Sequence, residues 1–244
     1  MTFRAVIFDW RGALVSGLSE RQWVQEALAL LGRETDTRTV EDVLAAIGVA
    51  DGSEHRLDAP GMDTDARLHR QMFFDVFADT KLDQQLVEAL YAVESDSRHN
   101  PFAGDVVSTL TTLHEAGLRL AVLSDIHFDL RPAFDAAGLA GLIDVFVLSF
   151  EQGLQKPDPA LFEHALAALG TQAYETLMVG DRARPGRTRR RAGHHHLAPA
   201  ASGASGTAPA ASRARAGRAG VQQRTVTARL PERALRRIGA PPDC

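Results

Sequence analysis

The chain is 244 residues long, 45% hydrophobic and 24% charged, with a formal net charge of −4 and one cysteine, Cys244. That length allows one domain or a core with an inserted lid, and the apolar content suffices for a real core. A single cysteine excludes an intrachain disulfide, and the absence of both a long apolar run and a charged-then-apolar leader excludes a membrane partner and favours a cytoplasmic location.

The charge is unevenly spread. Residues 1–181 carry a net of −16, whereas residues 182–244 carry a net of +12, from 14 arginines set against Glu232 and Asp243. A step this steep marks a change in the kind of segment.

Near the N-terminus, Ala5 to Phe8 form an unbroken apolar run that meets Asp9 and then a turn containing Gly12. Such a run suits a central parallel strand buried on both faces, whose carboxyl end is where open α/β sheets place ligands. Asp9 is therefore a candidate nucleophile; the same position also suits a turn cap. Ser19-Glu20-Arg21-Gln22 has the capping-box pattern, and Trp23, Val24, Ala27, Leu28 and Leu31 follow at helical spacing up to Gly32. Further helices are expected at about 40–47, 65–77 and 82–93, with 49–62 as a loop. Residues 16–100 thus read as an all-helical block placed directly after the first strand.

From residue 105 the rhythm alternates. A helix over 105–116 precedes a strand over 118–124 that ends on Ser124. A helix over 129–137, a strand over 145–148 and a helix over 159–169 follow, and a strand over 176–181 ends on Asp181. Alternation of this kind builds a parallel sheet with right-handed crossovers. The expected fold is therefore α/β: a Rossmann-like parallel sheet core (1–15 and 101–182) with an inserted helical cap (16–100). Residues 183–244 read as a low-complexity basic tail in which only 221–238 hints at structure. No strand is expected there, so one sheet edge should stand uncovered and invite aggregation.

Parallel strands bring Asp9, Ser124 and Asp181 to one edge of the sheet, and the loop carrying Lys156 opens on the same edge. Two carboxylates, a hydroxyl and an ammonium around a crevice suit phosphoryl chemistry with a hard divalent cation such as Mg²⁺. Phe8-Asp9-Trp10-Arg11-Gly12, Leu123-Ser124-Asp125, Lys156-Pro157-Asp158-Pro159 and Val179-Gly180-Asp181 follow one another in an order that resembles the haloacid dehalogenase superfamily, in its phosphatase-like subfamily with a helical cap after the first strand.

That resemblance implies attack by Asp9 on a phosphoryl group of a small phosphorylated metabolite, giving an aspartyl-phosphate that water hydrolyses. It implies Mg²⁺ held by Asp9, the main-chain carbonyl of Arg11 and Asp181. Ser124 and Lys156 would bind the phosphoryl oxygens, with Arg11, Gly12 and Asp125 lining the substrate site.

Two departures stand out. The family's phosphatases carry a second Asp two residues after the nucleophile, as proton donor to the leaving oxygen; here that position is Arg11. A guanidinium keeps its protons, and losing acid–base help costs roughly two to four orders of magnitude. Relatives that break C–halogen or P–C bonds also lack that Asp, so dehalogenase-like chemistry is the alternative, and a catalytically silent protein the next. Lys81, the only lysine before the core, reads as a solvated loop residue. The second departure follows Asp181, where Pro185 and Gly186 stand at the family's further acid and no acidic residue recurs before Glu232. The Arg/Ala/Gly/Pro composition is that of a GC-rich gene read out of frame from about residue 183. The arginines have no interleaved aromatics and no reader motif, so nucleic acid is not an expected partner. His194 to His196 read as incidental.

Overall fold

The computed structural model describes residues 2–78 and 80–180, with the backbone of residues 223–225. Five strands form one parallel sheet: β1 (Ala5–Phe8), β2 (Arg119–Ser124), β3 (Val145–Leu148), β4 (Thr176–Gly180) and β5 (Gln223–Thr225), in the order β3-β2-β1-β4-β5. β1 is central, with Phe8 in register with Val122 on one side and Val179 on the other. All four of its residues are buried, which is why its sequence is uninterrupted apolar rather than alternating.

The period of two still sorts the layers. Val6 and Phe8 join Leu120, Val122, Leu177 and Val179 in one cluster, under α5 (Val106–Glu115) and α6 (Arg131–Ala136). Ala5 and Ile7 join Ala121, Leu123 and Met178 in a second cluster, beneath α8 (Pro159–Leu169), which contributes Leu161, Ala165 and Leu169. Helices on both faces of a parallel sheet give the expected Rossmann-like α/β core.

Residues 20–94 hold four helices: α1 (Glu20–Leu30), α2 (Thr37–Asp51), α3 (Ala66–Phe77) and α4 (Gln84–Glu94). They enclose a separate apolar cluster centred on Phe73, which is 1% exposed and touches the rings of Trp23, Phe77 and Tyr91. Trp23 Nε1 donates to the Leu90 carbonyl at 2.9 Å, which satisfies the one polar atom of a buried indole. Each helix starts at a side-chain cap. Ser19 forms the expected capping box with Gln22, and Asp36, Asp65 and Asp83 accept from the first-turn amides of α2, α3 and α4.

Some boundaries depart from expectation. α2 runs over Thr37–Asp51 rather than 40–47, because Asp36 caps it early and Gly48 sits in its interior without breaking it. The expected loop at 49–62 contains two short 3-10 turns, Arg56–Asp58 and Met62–Thr64. A four-residue helix, α7 (Ser149–Gln152), follows β3 directly. β5 is the largest difference: Gln223 to Thr225 pair in parallel with Met178 to Gly180, so the edge of β4 is covered over those residues. Strand pairing uses main-chain groups alone, so it needs no apolar signature in Gln-Arg-Thr. The expectations for the rest of 183–244, including the frameshift and the histidine triplet, lie outside the described residues. Among the described residues no helix is long and apolar enough to cross a membrane.

Candidate active site

The carboxyl edge of β1 and β2 is where buried polar groups gather. Asp9 follows β1 directly and is 7% exposed; its amide donates to the Val179 carbonyl at 2.8 Å, continuing the pairing with β4 for one more residue. Its two carboxylate oxygens have different partners. Oδ1 accepts from the Trp10 amide at 2.9 Å, and Oδ2 lies 2.7 Å from Lys156 Nζ, with both side chains about nine-tenths buried. Lys156 is fixed from behind, since its own amide donates to Asp125 Oδ1 at 2.8 Å. Asp125 and Ser124, at the end of β2, are 6% and 2% exposed. The only hydrogen bond described for the Ser124 hydroxyl is a long one, 3.5 Å, to the Asp125 carbonyl, which leaves it ready for a better acceptor.

Local sequence explains the presentation of Asp9. Trp10 is fully buried and packs edge-on against Phe102 and tilted against Phe134, which anchors the chain directly after the carboxylate. Gly12 takes a φ of 83°, which an L side chain adopts only at a cost, and the turn closes with its amide donating to the Val15 carbonyl at 3.1 Å. On the other side Gly180 abuts Asp9: a Cβ there would lie 3.2 Å from Asp9 Cβ. The residue after Gly180 is Asp181, which lies outside the described residues. A hard divalent cation takes oxygen ligands, and Asp9 offers a carboxylate held rigidly at this edge, so the donor chemistry present fits Mg²⁺.

Asp9, Ser124, Asp125 and Lys156 thus lie along one edge of the sheet, whereas Asp181, the third residue expected at a strand end, lies outside the described residues. Arg11 is placed differently from a free substrate contact. Its Nε donates to Asn100 Oδ1 at 3.1 Å and its Nη1 to Glu94 Oε1 at 3.0 Å, with the two ion-pair partners 25% and 17% exposed. Arg11 thus ties the loop after β1 to the end of α4. Neither Glu94 nor Asn100 stands out in the sequence.

Sequence reasoning also missed a second polar cluster beside this edge. Asp63, His69 and His127 come from the turn before α3, from α3, and from the loop after β2. They have no common motif or spacing. Burial and the neighbouring His127 push the His69 imidazole down to about 4.

A family model described as a hydrolase, haloacid dehalogenase-like hydrolase, matches residues 3–193. The phosphoserine phosphatase of Thermus thermophilus is 31% identical over 135 residues, which is 52% of this chain and 53% of that protein. The pyrophosphatase PpaX of Halalkalibacterium halodurans is 34% identical over 109 residues, or 41% of this chain and 50% of that protein. The chain spans about half the length of these curated relatives. Among solved structures, a dehalogenase superposes with a TM-score of 0.53 at 21% identity, over 74% of this chain and 77% of the other. The L-2-haloacid dehalogenase of Xanthobacter autotrophicus superposes with a TM-score of 0.50 at 22% identity, over 73% and 69%. At such identities the superpositions establish the shared fold.

Proposed function

The chain belongs to the haloacid dehalogenase-like hydrolases, and from that premise we propose that it hydrolyses a small phosphorylated compound through Asp9. The observation that carries this reading is the buried Asp9–Lys156 pair at the carboxyl end of the central strand. In the proposed reaction one Asp9 oxygen attacks phosphorus as the bond to the leaving oxygen breaks. Water then attacks the same phosphorus, the Asp9–phosphorus bond breaks, and inorganic phosphate departs. Lys156 exchanges part of its interaction with Asp9 for the phosphoryl oxygens, and the Ser124 hydroxyl donates to another of them. Asp125 acts by holding the Lys156 backbone. Arg11 keeps its protons, so the departing oxygen takes its proton from solvent.

Mg²⁺ would be held by Asp9, the Arg11 main-chain carbonyl and Asp181, and when bound it supplies neutralising charge to the transferring group. Residues 1–15 and 101–182 would act as the catalytic core and residues 16–100 as a cap that excludes water, with a cytoplasmic setting and no nucleic-acid partner. The phosphatase names of two relatives support the substrate class.

The test is release of inorganic phosphate by the purified full chain from a panel of phosphorylated metabolites, with Mg²⁺ and with chelator. Turnover that needs Mg²⁺ and falls by about four orders of magnitude in Asp9→Asn is the expected result. A second reading has a specific observation in its favour: Arg11 stands in the acid's place and is bonded to Glu94 and Asn100. Halide release from a 2-haloacid, undiminished by chelator and abolished in Asp9→Asn, would replace phosphoryl transfer with dehalogenation. Indifference of both assays to Asp9→Asn would mark a catalytically silent protein.

A further inference from the structure

Contacts from three segments of the helical region converge on one core side chain. His127 is 4% exposed in the loop after β2. Its Nε2 lies 2.9 Å from Ser95 Oγ at the end of α4, and its Nδ1 lies 3.5 Å from Asp63 Oδ1 in the turn before α3. Its ring stacks on that of His69 in α3, with centroids 3.3 Å apart and planes 10° from parallel. His69 is 5% exposed, its Nδ1 has no hydrogen-bond partner, and its Nε2 lies 3.9 Å from the same Asp63 oxygen.

Two imidazoles and a carboxylate are also metal-ligand types, and their ligand atoms lie within 4.8 Å of one another. The ring planes speak against a shared ion. A metal ion sits about 2.0–2.1 Å from an imidazole nitrogen, along its in-plane lone pair. Two nearly parallel rings 3.3 Å apart direct their lone pairs side by side, so a shared ion would lie far out of both planes. The nearer nitrogen of each ring faces the same Asp63 carboxylate oxygen. A charge on His69 is opposed chiefly by its burial, so protonation favours a ring drawn out of the stack.

We propose that His127 is the positioning residue by which the core holds the helical cap closed over Asp9, in a clasp released when the buried His69 takes a proton. The charged and titratable groups around the pair are Asp63 before α3, Tyr91 and Glu94 of α4, Arg70 of α3 stacked on Tyr91, and Arg11 from the loop after β1. Asp63 and Glu94 favour protonation of His69, whereas Arg11, His127 and burial oppose it, so His69 is neutral at neutral pH and the clasp is shut. Two bonds to uncharged side chains secure the same turn: Ser149 Oγ donates to the Asp63 carbonyl and the Gly61 amide donates to Gln155 Oε1, both at 2.8 Å. Release therefore loosens the cap without detaching it.

The clasp takes the Asp9 crevice as the reaction site, but its primary test reads cap opening rather than turnover. Hydrogen exchange of the full chain, corrected for intrinsic rates, is followed over residues 62–77 and 84–96 and over β1 and β2. His127→Phe and His127→Ala are expected to speed exchange in the two cap segments about tenfold at neutral pH while β1 and β2 stay unchanged. In the wild type the cap segments should also accelerate between about pH 7 and about pH 4.5. His69→Phe retains a stacking ring but cannot take a proton, so it should abolish that acceleration. With any substrate that turns over, the His127 variants should raise KM about tenfold at constant kcat. Unchanged cap exchange in both His127 variants, or acid acceleration that persists in His69→Phe, overturns the proposal. So does stoichiometric Zn²⁺ binding lost in His69→Phe, which would make the cluster a metal site.

Discussion

The sheet core and the helical region of residues 20–94, the proposed cap, bury polar groups for different ends. In the core they lie together at one sheet edge, each fixed by a strand end or by main-chain bonds: Asp9 after β1, Ser124 and Asp125 at the end of β2, and Lys156 held by Asp125. In the cap the buried His69 faces across the boundary to His127, while the cap's own cluster around Phe73 is built from apolar side chains. Rigid strands hold reacting groups in place better than helices that pack on a separate nucleus, so a lesion at the sheet edge should damage chemistry and stability together. On the proposed clasp, a lesion in the helical region should shift closure and its response to pH.

The largest effect that would test this contrast is expected from Lys156→Met. The ammonium and the Asp9 carboxylate are both about nine-tenths buried, so removing one leaves the other charged and unpaired. Breaking a buried pair in this way costs about 3–5 kcal/mol. Turnover should fall a further two to three orders of magnitude through loss of charge stabilisation. Denaturant melts paired with phosphate release check both numbers. Activity lost without any loss of stability would show that the pair contributes nothing to holding the edge together.

How this site could be read from sequence differs between the two regions in the same way. Strands buried on both faces write themselves as short apolar runs, so β1, β3 and β4 and the polar residues that end β1 and β2 were visible one after another. Helix α1 was visible through its capping box and its apolar stripe. The Asp63–His69–His127 cluster was not, because its members belong to three segments and only the packing of cap on core unites them. The ties of Arg11 to Glu94 and Asn100 were hidden for the same reason. β5 and the four-residue α7 lay below any period, since three or four residues contain too little pattern to count.

An intermediate effect concerns pH and belongs to the helical region, at His69 of α3. The His69 pKa falls from 6.5 to about 4, chiefly through burial and then through His127. A base whose folded pKa is depressed binds fewer protons when folded than when unfolded, so stability falls as pH drops from about 6.5 to about 4 and levels off below that. A shift of that size corresponds to about 3 kcal/mol across the window. Other groups titrate there too, so the measurement is the difference in melting free energy between wild type and His69→Phe at each pH. The wild type should lose ground progressively over that window. Parallel curves would mean that His69 is not the group that destabilises the cap in acid.

The smallest effect returns to the sheet edge and separates position from stability. Gly180 has no left-handed φ, so alanine meets no backbone strain there; it meets Met178 Cε at an ordinary 3.8 Å and Asp9, whose Cβ would lie a tight 3.2 Å from the new methyl. That distance requires a shift of a few tenths of an ångström, and Asp9 is held between the Trp10 amide and Lys156. Gly180→Ala should therefore change stability by less than about 1 kcal/mol, while kcat falls about tenfold to a hundredfold as the carboxylate leaves its aligned position. A neutral kcat would show that the edge tolerates displacement of its nucleophile. The rigidity credited to the core would then lie in Lys156 and Asp125 rather than in Asp9.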